Sequence, residues 1–155
     1  MAKVGRASRN ASLLRVENIS SDKVCLAAES GEVYIAAGGL TVTLPPAKAG
    51  AYIKVILGAL QATGTALVVQ TASTSTTMVG SVEVKVAGAA SAGDYEAAST
   101  AVSGDGHDKV TFDPAGGNMH AGTYIECICD GTSWYVNGML YGASAGNTAE
   151  FGDQS

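Results

Sequence analysis

Leu40, Val42 and Leu44 alternate with Thr41 and Thr43, and Val82, Val84 and Val86 alternate with Glu83 and Lys85. A repeat of two puts the apolar side chains of a segment on one face of an extended strand, whereas a helix would scatter them around its axis. In the second segment the charged residues fall on the opposite face, as in a strand with one wet side. No dozen-residue stretch carries a helical stripe. The nearest rival, 47–60, is interrupted by Gly50 and Gly58, and its Tyr52, Ile53, Val55 and Ile56 favour extended backbone. Helical fold classes are thereby set aside.

Further strands are expected at 13–19, 23–28, 32–36, 51–57, 66–70, 109–113, 123–129 and 133–137. Turn residues separate them: Ser21-Asp22, Ser30-Gly31, Gly38-Gly39, Pro45-Pro46, Gly64, Gly116-Gly117-Asn118 and Asp130-Gly131. The clearest hairpin joins 123–129 to 133–137, because Asp130-Gly131 suits a turn that matches strand twist. No fixed-period repeat is read that would imply a solenoid. The expected fold is all-β, an antiparallel β-sandwich or barrel-like domain of about ten short strands. Residues 1–12 read as an extended N-terminal arm, 13–141 as one β-domain and 142–155 as a C-terminal tail. The Ala/Ser/Gly-rich segment 88–106 reads as a long surface loop.

Composition narrows the function. The chain of 155 residues is 46% hydrophobic but only 6% aromatic and 15% charged, so its core must be thin and built mostly from Ala and Val. The net charge of −5 argues against nucleic-acid binding, which needs a basic surface. That charge is unevenly distributed. Lys3, Arg6, Arg9 and Arg15 precede the first acidic residue, Glu17, giving the first fifteen positions +4; the other five basic residues face all 14 acidic ones, a balance of −9. The most apolar stretch, 51–60, is broken by Lys54 and Gly58 and is far shorter than the roughly 18 residues of a membrane span. No secretory leader is read, since no apolar run follows the early basic residues. The odd set Cys25, Cys127 and Cys129 does not make a disulfide framework and fits synthesis in a reducing cytosol.

No residue pattern points to catalysis. His107, in Gly104-Asp105-Gly106-His107-Asp108, and His120, in a Gly-rich turn, read as surface histidines rather than bases of a triad. Asp105, His107, Asp108 and Asp113 offer ligand atoms at loop spacing, but without the EF-hand order, and a solvated acidic turn is the better reading. Cys127 and Cys129 are two apart on a strand and so point together into the core as small hydrophobes. Gly104 and Gly106 lack the strand and helix context of a phosphate loop. Trp134 and Tyr135 point to opposite faces, one ring to the core. Tyr135 with Asn137 and the loop 105–108 could supply a sugar-stacking platform. The chain is therefore not expected to be an enzyme, nor to carry a cofactor or metal.

The run Gly39-Leu40-Thr41-Val42-Thr43-Leu44-Pro45-Pro46, with Ala49-Gly50-Ala51-Tyr52-Ile53-Lys54-Val55 after it, resembles a strand–turn–strand unit of small virion proteins of tailed bacteriophages. Thr123-Tyr124-Ile125-Glu126, leading into Cys129-Asp130-Gly131-Thr132-Ser133-Trp134-Tyr135-Val136-Asn137-Gly138, looks like their terminal hairpin. The resemblance spans about residues 30–140 and implies a capsid decoration, or cement, protein on the outer surface of the virion head. It implies the major capsid protein and further copies of the chain, commonly in a trimer, as partners, with neither nucleic acid nor membrane. On that expectation the shell contacts are assigned to Lys3, Arg6, Arg9, Leu13 and Leu14, and the contacts between copies to Tyr141 and Phe151. A receptor- or glycan-binding module of a phage fibre is the alternative.

Overall fold

The computed structural model describes residues 14–87, 95–103, 106–144 and 146–154; for 95–103 it describes backbone alone. Among these residues twelve strands build two sheets, and no α-helix occurs. The strands are β1 Arg15–Ile19, β2 Lys23–Val24, β3 Glu32–Ala36, β4 Thr41–Thr43, β5 Tyr52–Leu57, β6 Leu67–Gln70, β7 Met78–Ala87, β8 Tyr95–Ser103, β9 Lys109–Asp113, β10 Tyr124–Cys129, β11 Trp134–Gly142 and β12 Thr148–Gly152. A single 3₁₀ turn, Ala27–Glu29, follows β2. The seven-stranded sheet runs β1-β3-β5-β10-β11-β7-β8 and the five-stranded sheet β12-β9-β6-β4-β2.

The antiparallel expectation is corrected to a mixed arrangement. From β1 to β6 each strand enters the sheet that its predecessor did not, so β1, β3 and β5 pair in parallel in one sheet, and β2, β4 and β6 in the other. Parallel neighbours need a long crossover, and here that crossover is a strand of the opposite sheet rather than a helix. Residues 15–70 therefore wind as three flattened coils, where the sequence suggested no solenoid. Its period is hidden by unequal loops: Arg15 lies beside Glu32 and Glu32 beside Ile53, while Lys23 lies beside Val42 and Thr41 beside Val68. No two of these steps are equal.

Two further expectations change. The segment read as the loop 88–106 contains β8, which pairs antiparallel with β7. The segment read as the tail 142–155 contains β12, which pairs antiparallel with β9, and β11 itself runs on to Gly142. Both missed strands are rich in residues with weak β preference, and their extended state comes from the ladder beside them.

Between the sheets lies one hydrophobic cluster. Ile53, Val55, Leu57, Ile125, Cys127, Trp134, Leu140, Val82 and Val84 come from the larger sheet, and Val42, Leu67, Val69, Val110 and Phe112 from the smaller. Strict alternation of burial along β5, β10 and β11 follows the sequence pattern. The expected hairpin is present. β10 and β11 pair from Tyr124↔Met139 to Cys129↔Trp134, and Gly131 sits at φ 110° in the turn. Asp130 Oδ1 accepts hydrogen bonds from the Ser133 backbone N–H at 2.8 Å, the Thr132 backbone N–H at 2.7 Å and the Thr132 hydroxyl at 2.8 Å. These donors favour the charged carboxylate and hold its pKa down at about 2.

Candidate functional site

Chemistry-bearing side chains gather at the end of the molecule where β1 and β2 form the sheet edges. Ile19 of β1 is buried between the sheets, so Arg15 and Glu17, four and two positions before it, lie on the same inner face. Arg15 pairs with Glu32 at 2.7 Å, and the Tyr34 hydroxyl donates to the other Glu32 oxygen at 3.0 Å, so this buried carboxylate has two partners. Lys23 Nζ lies 3.0 Å from both Glu17 and Glu29 and 5.1 Å from the Tyr34 ring centroid. Oxygens of Glu17, Glu29 and Glu32 approach within 4.8 Å of one another. Three carboxylates at such spacing have the donor set of a cation site, but the Lys23 ammonium already supplies the positive charge.

The electrostatics of this nest have a definite sign. Hydrogen bonds to Glu29 and then Glu17 raise the pKa of Lys23 above 10.5. Burial pushes the Glu29 carboxyl up, but the Leu26 backbone N–H and Lys23 outweigh it and the net shift is below 4.5. A raised amine stabilises the fold until pH climbs past its ordinary value, and a lowered carboxyl stabilises it until pH falls past its own, so both contributions are complete near neutrality. In a Lys23→Met variant the three carboxylates face one another without their ammonium, and one is expected to take up a proton. The Tm deficit relative to wild type should be larger at pH 7 than at pH 5. Equal deficits at the two pH values would show that Lys23 contributes packing rather than charge.

A second surface is the outer face of the larger sheet. Its strands place Tyr52, Ile128, Tyr135 and Val79 in one row and Ile35, Ile56, Tyr124 and Met139 in another. Between the rows Lys54 donates to Glu126 at 2.7 Å and lies 4.9 Å from the Tyr124 ring centroid. Ile128 and Tyr135 are about half exposed, at 52% and 51%. The outer face of the smaller sheet differs in kind. It presents Thr41, Thr43, Thr111 and Thr148 with Gln70, Lys109, Asp113 and Glu150, and its apolar side chains are Val68 and, on the edge strand, exposed Val24, a predominantly polar set suited to a solvated face.

The residues singled out from sequence fare unequally. Lys3, Arg6, Arg9 and Leu13 lie outside the described residues, as does Asp105. Leu14, just before β1, is 66% exposed. Tyr141 is half-buried on the outer face of the larger sheet. Phe151 is partly buried and packs against the core of its own chain. Trp134 is buried and Tyr135 exposed beside exposed Asn137.

Of the acidic turn, the described residues His107, Asp108 and Asp113 are not brought together. Asp108 is buried and accepts the Gln154 backbone N–H at 2.7 Å, His107 pairs with Asp153 at 3.1 Å, and Asp113 stands at the far end of β9. All three cysteines are buried and unpaired with one another. Burial pushes the Cys25 thiol up to about 11 and the Cys127 thiol higher still, so neither is a thiolate at neutral pH. Sequence reasoning missed the nest around Lys23 because its members come from β1, β2, the 3₁₀ turn and β3, and only coil-on-coil stacking brings them together. The alternation of Tyr124, Glu126 and Ile128 was a signal for the outer face, but a strand's two faces cannot be ranked without knowing what covers each.

Among the described residues no helix is long and apolar enough to cross a membrane. Compared with protein-family models, curated proteins and solved structures, the chain matches none.

Proposed function

We propose that this chain is a structural protein of a tailed-bacteriophage virion, a β-sandwich that binds the outer surface of the capsid and reinforces contacts between capsomers. On this reading it is a decoration protein without catalytic residues or cofactor, and its partners are the major capsid protein and further copies of itself. The observation that carries the reading is the open end of the two sheets. Among the described residues β1 pairs with β3 on one side and is the edge of its sheet on the other, with exposed Leu14 just before it and exposed Val16 along it. Immediately before β1 in sequence come Leu13 and the basic Lys3, Arg6 and Arg9. A free strand edge beside a cationic segment suits strand addition to an acidic partner, with backbone hydrogen bonds supplying affinity and charge supplying the approach.

Such a clamp stabilises a shell only through its differential affinity for assembled lattice over free subunits. Deleting residues 2–12 is expected to weaken rebinding to undecorated capsids at least tenfold, and binding of the intact chain should weaken with salt because exposed charges are screened beyond about 8 Å at physiological ionic strength. Unchanged affinity after deletion would remove the arm as an anchor.

The exposure of Tyr135 beside Asn137 on one face favours a second reading, a glycan-binding module of a phage fibre. Cryo-EM of particles separates the two: copies spread over the head support decoration, and copies confined to one vertex or the tail support the fibre.

A further inference from the structure

We infer that the outer face of the larger sheet is the surface through which one copy of this chain binds a second copy. Three observations point there. The first is charge: on strands β1, β3, β5, β10, β11 and β7 the outward charged side chains are Lys54 with Glu126 and Lys85 with Glu83, two cations matched to two anions. The chain as a whole is at −5, so its acidic excess lies elsewhere. Two acidic copies repel through most pairs of surfaces. They meet without that penalty through this one, and a partner chosen by opposite charge would find nothing here to recognise.

The second observation is composition. Tyrosines, isoleucines and a methionine dominate the face, the residue types enriched in interface cores, while the equivalent face of the smaller sheet is threonine-rich. Ile128 and Tyr135, neighbours across β10 and β11, are the most exposed of them and form the natural anchor. The Lys54–Glu126 pair is already satisfied within the chain at 2.7 Å, so it can be covered without leaving a charge unpaired.

The third is size. Six strands at about 4.8 Å spacing and roughly 20 Å of strand length give a face of about 600 Å², hence about 1,200 Å² buried by two copies, the lower end of stable interfaces. The inference deepens the expectation of like copies in the proposed function, and its test uses no capsid, so either can fail alone.

The test is light scattering after size exclusion, with sedimentation equilibrium, on the full chain between micromolar and hundred-micromolar concentration. Wild type is expected to self-associate, and Ile128→Lys and Tyr135→Arg to weaken association at least tenfold with circular dichroism unchanged. If either variant misfolds, Asn137→Arg, at an exposed position on the same face, replaces it. Thr111→Arg, on the outer face of the smaller sheet, should associate as wild type does. A wild type monomeric throughout the range overturns the inference, and so do face variants that associate like wild type.

Discussion

Gly80→Ala is expected to destabilise the fold by more than about 3 kcal/mol. Gly80 lies in β7 at φ 147°, in the region that residues with a Cβ rarely enter, and an added Cβ would lie 1.9 Å from the Val136 carbonyl oxygen. That oxygen belongs to the register partner of Gly80 in the parallel ladder from Trp134↔Met78 to Gly142↔Val86. It cannot retreat without breaking the ladder, and the ladder is what attaches β7 and β8 to the rest of their sheet. The backbone conformation alone costs about 1–3 kcal/mol for a non-glycine residue. With the clash added, the loss should exceed about 3 kcal/mol against a total stability of roughly 5–15 kcal/mol. Gly64→Ala is the control, because Gly64 has φ 98° with open space around its Cβ position and carries the conformational cost alone. Denaturant unfolding of both variants decides the matter: equal losses would show that close approach at Gly80 is unimportant.

Trp134→Ala should destabilise the fold by about 3–5 kcal/mol, the range for emptying a buried aromatic site. The side chain is fully buried and is the largest in a core poor in rings, so small neighbours cannot close over the space. Trp134→Phe should lose far less. Trp134 Nε1 is the buried side-chain polar atom without a hydrogen-bond partner among the described residues. Phenylalanine removes that unpaired donor along with part of the ring, so relief of its desolvation cost offsets some lost packing. Chemical denaturation, followed by circular dichroism because the sole tryptophan is removed, gives both values. Equal losses for the two variants would show that the indole N–H is satisfied and that packing is not the dominant contribution.

Strand positions were legible wherever side-chain alternation marked them, as along β5, β7, β10 and β11. Strand partners were not. Ser21-Asp22 and Ser30-Gly31 read as turns between consecutive neighbours, yet the chain crosses at these points into the other sheet, and a turn residue specifies a reversal without specifying its plane. β8 and β12 escaped for a different reason: Ala97, Ala98, Ser99, Ala149, Glu150 and Gly152 carry little intrinsic preference, and β7 and β9 impose the extended state on them. The inward thiols of Cys127 and Cys129, and the opposite facing of Trp134 and Tyr135, followed from alternation alone. Phe151 could be recognised as an anchoring ring, but not which chain it anchors to, because that depends on β12 joining the sheet.

The coil from β1 to β6 sets the order in which the molecule can form. Consecutive strands there never pair with each other, so no hairpin can close early, and β5 finds its antiparallel neighbour only in β10, with Lys54 meeting Glu126 across 72 residues of sequence. Local contacts speed folding and remote ones slow it. The tight hairpin β10–β11 leaves the ribosome late. Until the C-terminal half arrives, residues 15–70 can pair only with one another, and the edges of β5 and β6 that later receive β10 and β9 stay open, the kind of exposed edge through which partly folded chains aggregate.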